Sequence, residues 1–459
     1  MSLLTLVVLL AAPADAGVPS RALDDGRAVL LKHECRRCHA IDDLPAAARP
    51  LDCTGCHQFL KSLHPGDEQY QRLVERYGEP LIQRYQKNIE HLLRAPDLTG
   101  LARRVRLDYL KRFLEEPFDQ RPTLEESMIR HQLSAEELGK VVAYFAAVAG
   151  VKEGEKYALP PKAPPARIAA GRGLFLGKGC LVCHTFGNDL TGMPREALEA
   201  NRAINGLAPN LRLVKERMRP DAMIPWLLDP KSLHPTTTMP ATALSRAEAE
   251  QVRDYLLWGD PKLLPAPKPL THAPPALLQR PVAWAEVKER VFGKVCVHCH
   301  MNDFEKDTGP GNKGGLGYQG LGLAMRTYEA LVNGSLTPDG KRASVLVTRP
   351  GEQQPRILQV LFDRRDEEQR DRVHAFQDTA RPPYPAKRPG MPMGLPSMTD
   401  EEISIVATWL SQGCPGPAEI TGKAGANDGF LVRDGPLKKN SGCEWRAPEK
   451  PRPAWAYDQ

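Results

Sequence analysis

Apolar and polar positions break this chain into short segments. The first is an apolar run from Leu3 to Ala12 with one Thr inside it, followed by the small-x-small triplet Ala14-Asp15-Ala16. That is the layout of a secretory signal over residues 1–16, and the run is too short to span a membrane. No later stretch approaches the ~18–20 apolar residues of a membrane helix, so the chain from Gly17 onward is expected to be periplasmic and either soluble or peripheral. Short amphipathic helices are predicted around Gly26-Arg27, around Gly171-Arg172, and from Trp284 to Val295. Ser134, Ser245 and Thr399 each stand just before acidic residues, a helix N-cap signal. Each opens a helix with an aromatic residue ten positions later: Tyr144, Tyr255 and Trp409. Pro-rich connectors at 159–165, 264–269 and 272–275 are semi-extended and stiff. The expected fold is therefore mainly α. A signal peptide at 1–16 precedes three tandem units at 17–150, 166–260 and 281–415, and a tail fills 416–459.

Composition narrows the class. A length of 459 residues fits about three domains. The 43 Pro and 37 Gly argue against one continuous coiled coil, and 41% hydrophobic residues argue against a wholly disordered chain. The net charge of +6 arises from 62 basic residues scattered among 56 acids with no basic run, so nucleic acid is not an expected partner. Aromatic residues make up only 6%, so something else must help to fill the cores.

Eight of the ten Cys fall in four copies of one pattern. The copies are Cys35-Arg-Arg-Cys38-His39, Cys53-Thr-Gly-Cys56-His57, Cys180-Leu-Val-Cys183-His184 and Cys296-Val-His-Cys299-His300. C-x-x-C-H is the attachment signature of c-type haem. One turn of chain brings the second Cys to the other vinyl group, and the following His gives its imidazole to the iron. A zinc site built from Cys35, Cys38, Cys53 and Cys56 is the competing reading, but zinc does not require a His after every pair. A redox-active dithiol is a weaker reading still. Cys414 and Cys443 remain, and in an oxidising compartment a disulfide between them is expected.

The units also repeat one another. Gly26 and Gly171 each lie nine residues before a first motif Cys. Downstream come Pro96-Asp97-Leu98 and Pro209-Asn210-Leu211, then Leu114–Pro117 and Leu227–Pro230, then Met128 and Met239, each six residues before its cap Ser. With these features the units resemble class I cytochrome c domains, over most of the chain beyond the signal. The resemblance implies terminal helices that cross at the Gly and the aromatic. It also implies a Met sulfur as the iron ligand opposite the motif His, here Met128 and Met239. The third unit diverges, with a Gly-rich stretch from Thr308 to Gly322. Its Gly390-Met391-Pro392-Met393-Gly394, Thr399 and Trp409 are similar to cytochrome c domains ending Met-Pro-x-Gly…Thr-x-x-Glu-Ile…Trp-Leu-x-x-Gly. Met391 carries the Met-Pro pair and is preferred as ligand; Met393, six residues before Thr399, competes.

The first unit carries an extra motif. His39 and Met128 are 89 residues apart, whereas His184 and Met239 are 55 apart, so 34 residues are inserted. The 35–39 motif is read as the unit's own, with Met128 opposite, and the 53–57 motif as belonging to the insertion. His91 is the first candidate for its sixth ligand and His64 the second, with His33 and His131 behind; a crossed assignment of Met128 stays open. The expected function is electron relay through four covalently bound haem c groups and their irons, between redox partner proteins. A variant is the cytochrome subunit of a membrane dehydrogenase. The alternative is a haem enzyme, a peroxidase or small-anion reductase, with one open iron.

Overall fold

The computed structural model describes residues 20–48, 51–89, 93–118, 120–121, 124, 126–186, 206–260, 276–300, 322–337, 339–376 and 389–417. The signal region, His91, the connectors at 264–275, nearly all of the Gly-rich stretch and the tail beyond 417 lie outside them. The described chain is mainly α. In order come α1 (Ser20–Lys32), α2 (Cys53–Ser62), α3 (Glu68–Tyr77), α4 (Glu79–Asn88), α5 (Leu101–Arg104), α6 (Leu107–Glu115), α7 (Ala135–Ala149) and α8 (Pro165–Gly177). There follow α9 (Val214–Arg217), α10 (Met223–Leu228), α11 (Pro230–Leu233), α12 (Arg246–Trp258), α13 (Trp284–Val287), α14 (Val297–Cys299), α15 (Tyr328–Val332), α16 (Arg356–Phe376) and α17 (Asp400–Ser411). One antiparallel hairpin pairs β1 (Ser335–Leu336) with β2 (Arg342–Ala343), in the register Ser335↔Ala343. No helix among the described residues is long and apolar enough to cross a membrane.

Three helices begin where the caps require. Ser134, Ser245 and Thr399 each accept a hydrogen bond from the backbone three residues on, and Glu137, Glu248 and Glu402 return it, forming capping boxes. In α7 the buried positions Leu138, Val141, Val142 and Phe145 follow helical spacing and face α1 and α6. Gly150 ends the helix in the left-handed conformation, φ 66°. Helix α1 crosses α7 at Gly26, and α8 crosses α12 at Gly171. A Cβ on Gly26 would stand 2.4 Å from the Tyr144 Cβ, and one on Gly171 2.0 Å from the Gln251 carbonyl oxygen. Only a residue without a side chain permits approaches this close.

Four hydrophobic clusters result. The first joins α1, α6 and α7 around Leu30, Tyr109, Tyr144 and Phe145. The second packs Phe175, Phe186, Val252 and Tyr255. The third surrounds Trp409 with Trp284, Phe292 and Tyr328. The fourth is small: Leu60, Leu63, Tyr70, Ile82 and Ile89 from α2–α4 and the residue following it. The segment read from spacing as an insertion thus has a core of its own.

The helix expected over 284–295 differs in form. After α13 the chain widens into a π-helix, Lys288–Cys296. Gly293 sits five residues after Lys288, and a Cβ there would lie 2.5 Å from the Lys288 carbonyl oxygen, so the wide turn is built around a residue with no side chain.

The segments meet directly. Arg106 N donates to Arg217 O, and Arg219 N to Arg104 O, each at 2.9 Å, with an antiparallel bridge between Val105 and Met218. These positions are matched by the same offset that relates Pro96 to Pro209, so the contact is locally two-fold. Elsewhere Ser127 N donates to Gly394 O at 2.9 Å, and Arg130 pairs with buried Glu367 at 3.0 Å.

Candidate functional site

The 35–39 and 180–184 motifs turn alike as short 3-10 helices, and the 296–300 motif continues from the π-helix. His39 N donates to Cys35 O at 3.1 Å, His184 N to Cys180 O at 3.0 Å and His300 N to Cys296 O at 2.8 Å. The residue before the first Cys is left-handed in two of them: Gly179 at φ 73° and Glu34 at φ 52°. Glycine adopts that conformation without cost, whereas Glu34 does so under local strain. The second motif instead opens α2, with Asp52 capping by accepting from Gly55 N at 2.9 Å.

The motif imidazoles are held from behind. His39 Nδ1 meets the Pro96 carbonyl at 2.8 Å, and His184 Nδ1 meets the Pro209 carbonyl at 3.0 Å. That bond fixes the ring and leaves Nε2 as the lone-pair donor. Leu98 N donates to Ala40 O and Leu211 N to Thr185 O, which ties each Pro-x-Leu loop to the residue after the motif. In the third segment His300 bonds to the backbone of Leu323, and Met325 N donates to His300 O at 2.9 Å. Leu323 and Met325 therefore occupy the Pro-x-Leu role. The sequence reading missed them, because no Pro marks the spot.

Burial pushes His39, His184 and His300 below the ordinary imidazole range, and the carbonyl contact only partly offsets it. The rings are therefore neutral at neutral pH, the state a metal ligand needs. Burial also raises the thiols: Cys35 to about 11, and Cys296 and Cys299 to about 12. Such thiols are protonated, unlike those of a redox-active dithiol. Among the described residues no three His, Cys, Asp or Glu converge as a metal-ion set. A haem iron, with one His from the motif and one axial partner, requires no such set.

The first segment shows the arrangement most fully. Cys35, Cys38, His39 and Met128 line one cavity, walled by apolar residues that include Leu30, Leu101, Tyr109, Phe118 and Phe145. These residues could hold a haem: two thiols for its edge, an imidazole and a thioether for its iron, and an apolar wall for its faces. Arg104, Arg121 and Arg217 line the same cavity. Burial lowers Arg104 to about 10 and also lowers Arg217. Neither has a carboxylate at ion-pair distance among the described residues; Arg104 donates instead to the Thr99 and Asp97 carbonyls. Two propionates would supply the missing negative charge.

The other nominated residues are placed as follows. Met239 packs on the second cluster together with Cys180. Met391 and Met393 are both half-buried on one loop, with Met391 N donating to Val360 O at 2.8 Å. His57 is buried on α2, whereas His64 is exposed just beyond it. His33 and His131 line the first cavity, with ring centroids 5.9 Å apart. Cys414 is disulfide-bonded; its expected partner Cys443 lies outside the described residues. The other eight Cys are not in disulfides. Comparison with known proteins finds no family model, no curated protein and no solved structure that matches the chain.

Proposed function

We propose that the chain is a multihaem electron-transfer protein of three class I cytochrome c-like units, 17–150, 166–260 and 281–415, carrying four covalently attached haem c groups. The observation that carries this reading is the apolar cavity shared by Cys35, Cys38, His39 and Met128, with His39 steadied by Pro96. In each motif the two thiols would hold the haem through thioether bonds to its two vinyl groups, S–H adding across C=C with no atom lost and no oxidant consumed. His39, His57, His184 and His300 would each ligate an iron. Met128, Met239 and Met391 would supply the second ligand in the three units, and His91 is the nominee for the 53–57 site. Bound haem iron supplies reversible one-electron chemistry between the ferric and ferrous states. The chain's part would be to supply both protein ligands, exclude water and raise the potential through thioether ligation. Arg104, Arg121 and Arg217 hold the propionates. Donor and acceptor are redox partner proteins, met in the periplasm or at a membrane complex.

The test is a haem count by intact mass, followed by a redox titration observed by absorption and a carbon monoxide challenge of the reduced protein. Four covalent haems, a Met–iron absorption band and no response to carbon monoxide are expected. Fewer than four haems would sink the reading. A carbon monoxide complex at one haem would favour the enzyme alternative, with an open iron.

A further inference from the structure

The four motifs are not equally spaced in the fold. The Cys38 thiol lies within hydrogen-bond reach of Cys53, the first Cys of the neighbouring motif. Cys299, from the third segment, is close enough to interact electrostatically with both. Arg37, only 1% exposed, lies near Cys38 and Cys299, its Nη2 donating to Glu34 Oε1 at 3.0 Å. Cys38 and Cys53 are therefore neighbours from two motifs, and Cys299 of a third motif lies near the same buried point.

A second set of contacts fastens the same segments together. The loop carrying Met128 is joined to the loop carrying Met391 and Met393 by Ser127 N to Gly394 O, 2.9 Å, and by Arg364 Nη2 to Ser127 Oγ, 3.2 Å. Glu367 bridges the pair, accepting from Arg130 Nη2 and from Gly390 N, each at 3.0 Å. Tyr85 of α4 lies near both Cys56 and Arg326, which links the inserted core to the third segment as well. Cys180 and Cys183 stand apart from all this. No thiol outside their own motif is among the groups that act on them. Their segment reaches the first one through the two-fold contact at 104–106 and 217–219.

We propose that the motifs at 35–39, 53–57 and 296–300 form one three-haem junction, with the 180–184 motif as a branch joined to it through the first unit. This rests on the proposed haem attachment. Each thioether sulfur would be bonded to the edge of its porphyrin, so neighbouring sulfurs would bring the three porphyrin edges close together. Electron exchange inside the junction is then fast. Because the point is buried, adding an electron to one haem raises the cost of adding another beside it. The three titrate as a coupled set rather than as independent carriers.

The test uses the full chain loaded with four haems, counted by mass. Circular dichroism in the Soret region should show a two-signed band from neighbouring porphyrins, and electron paramagnetic resonance should show magnetic broadening. The Cys296→Ala/Cys299→Ala variant, lacking one junction haem, should lose part of the two-signed band and shift the midpoints of the remaining haems. The Cys180→Ala/Cys183→Ala variant should only subtract one component. A wild-type spectrum equal to the sum of isolated haems, or the same shift in both variants, overturns the junction. If the variants do not fold, the wild-type spectra decide alone. A haem count below four, or a Cys38–Cys53 disulfide found by mass, overturns the attachment reading instead, so the two failures are distinguishable.

Discussion

At the scale of single residues, the site turns on which atoms hold the imidazoles and what faces them. On the proposed haem attachment, replacing Met128 by Ala should remove one Met–iron band and lower one midpoint in a redox titration, because a thioether favours ferrous iron. An unchanged titration would mean that Met128 does not face the iron. A second residue-level consequence concerns acid stability. Glu137 is held at about 2, chiefly by the Lys32 ammonium and also by the Ser134 backbone N–H and His33. A carboxyl depressed in the folded state contributes stability that is full above its ordinary value near 4.5 and is lost as pH falls through about 2. Denaturant midpoints measured across that window should fall with pH, and Glu137→Gln should flatten the fall. The motif His and the Pro-x-Leu loops that meet His39 and His184 were legible because each is a local string of residue types. Leu323 was not, since its role depends only on where its backbone sits.

At the scale of elements, the capping boxes and helix crossings carry the weight. Ser134→Ala should destabilise by about 1 kcal/mol, the usual loss for an N-cap oxygen, read from chemical denaturation. Gly171→Ala should cost more, about 1–3 kcal/mol or loss of folding, because its Cβ would strike the Gln251 carbonyl. A neutral outcome at Gly171 would show that α8 can move away from α12. The caps and crossing glycines were readable from spacing, as both depend on residues a fixed number of positions apart. The π-helix at 288–296 was not, because a hydrophobic pattern does not distinguish a widened turn from a regular one.

At the scale of the whole molecule, the contacts between segments become the weak and informative points. Arg130 and Glu367 are a nearly dry pair, with side chains 11% and 5% exposed. Arg130→Leu would leave the Glu367 carboxylate buried with Arg364, at 3.7 Å, as its remaining cation and the Gly390 N–H as a donor. The expected loss is up to about 3 kcal/mol, with earlier proteolysis between the first and third segments. If stability and cleavage pattern stay as in the parent chain, the two Met loops are held together by other contacts.

The primary structure alone decided the chemistry on offer: four paired-thiol motifs each followed by His, a repeated helical plan, and caps that start the closing helices. It could do so because each of these lies within a short stretch of chain, where spacing dictates geometry. Only the tertiary fold decided which motifs are neighbours. Cys38 lies within hydrogen-bond reach of Cys53, Cys299 lies near both although it is far along the chain, and Arg217 reaches a cavity formed by an earlier segment. Such meetings follow from how separate cores pack on one another, and no local pattern encodes that.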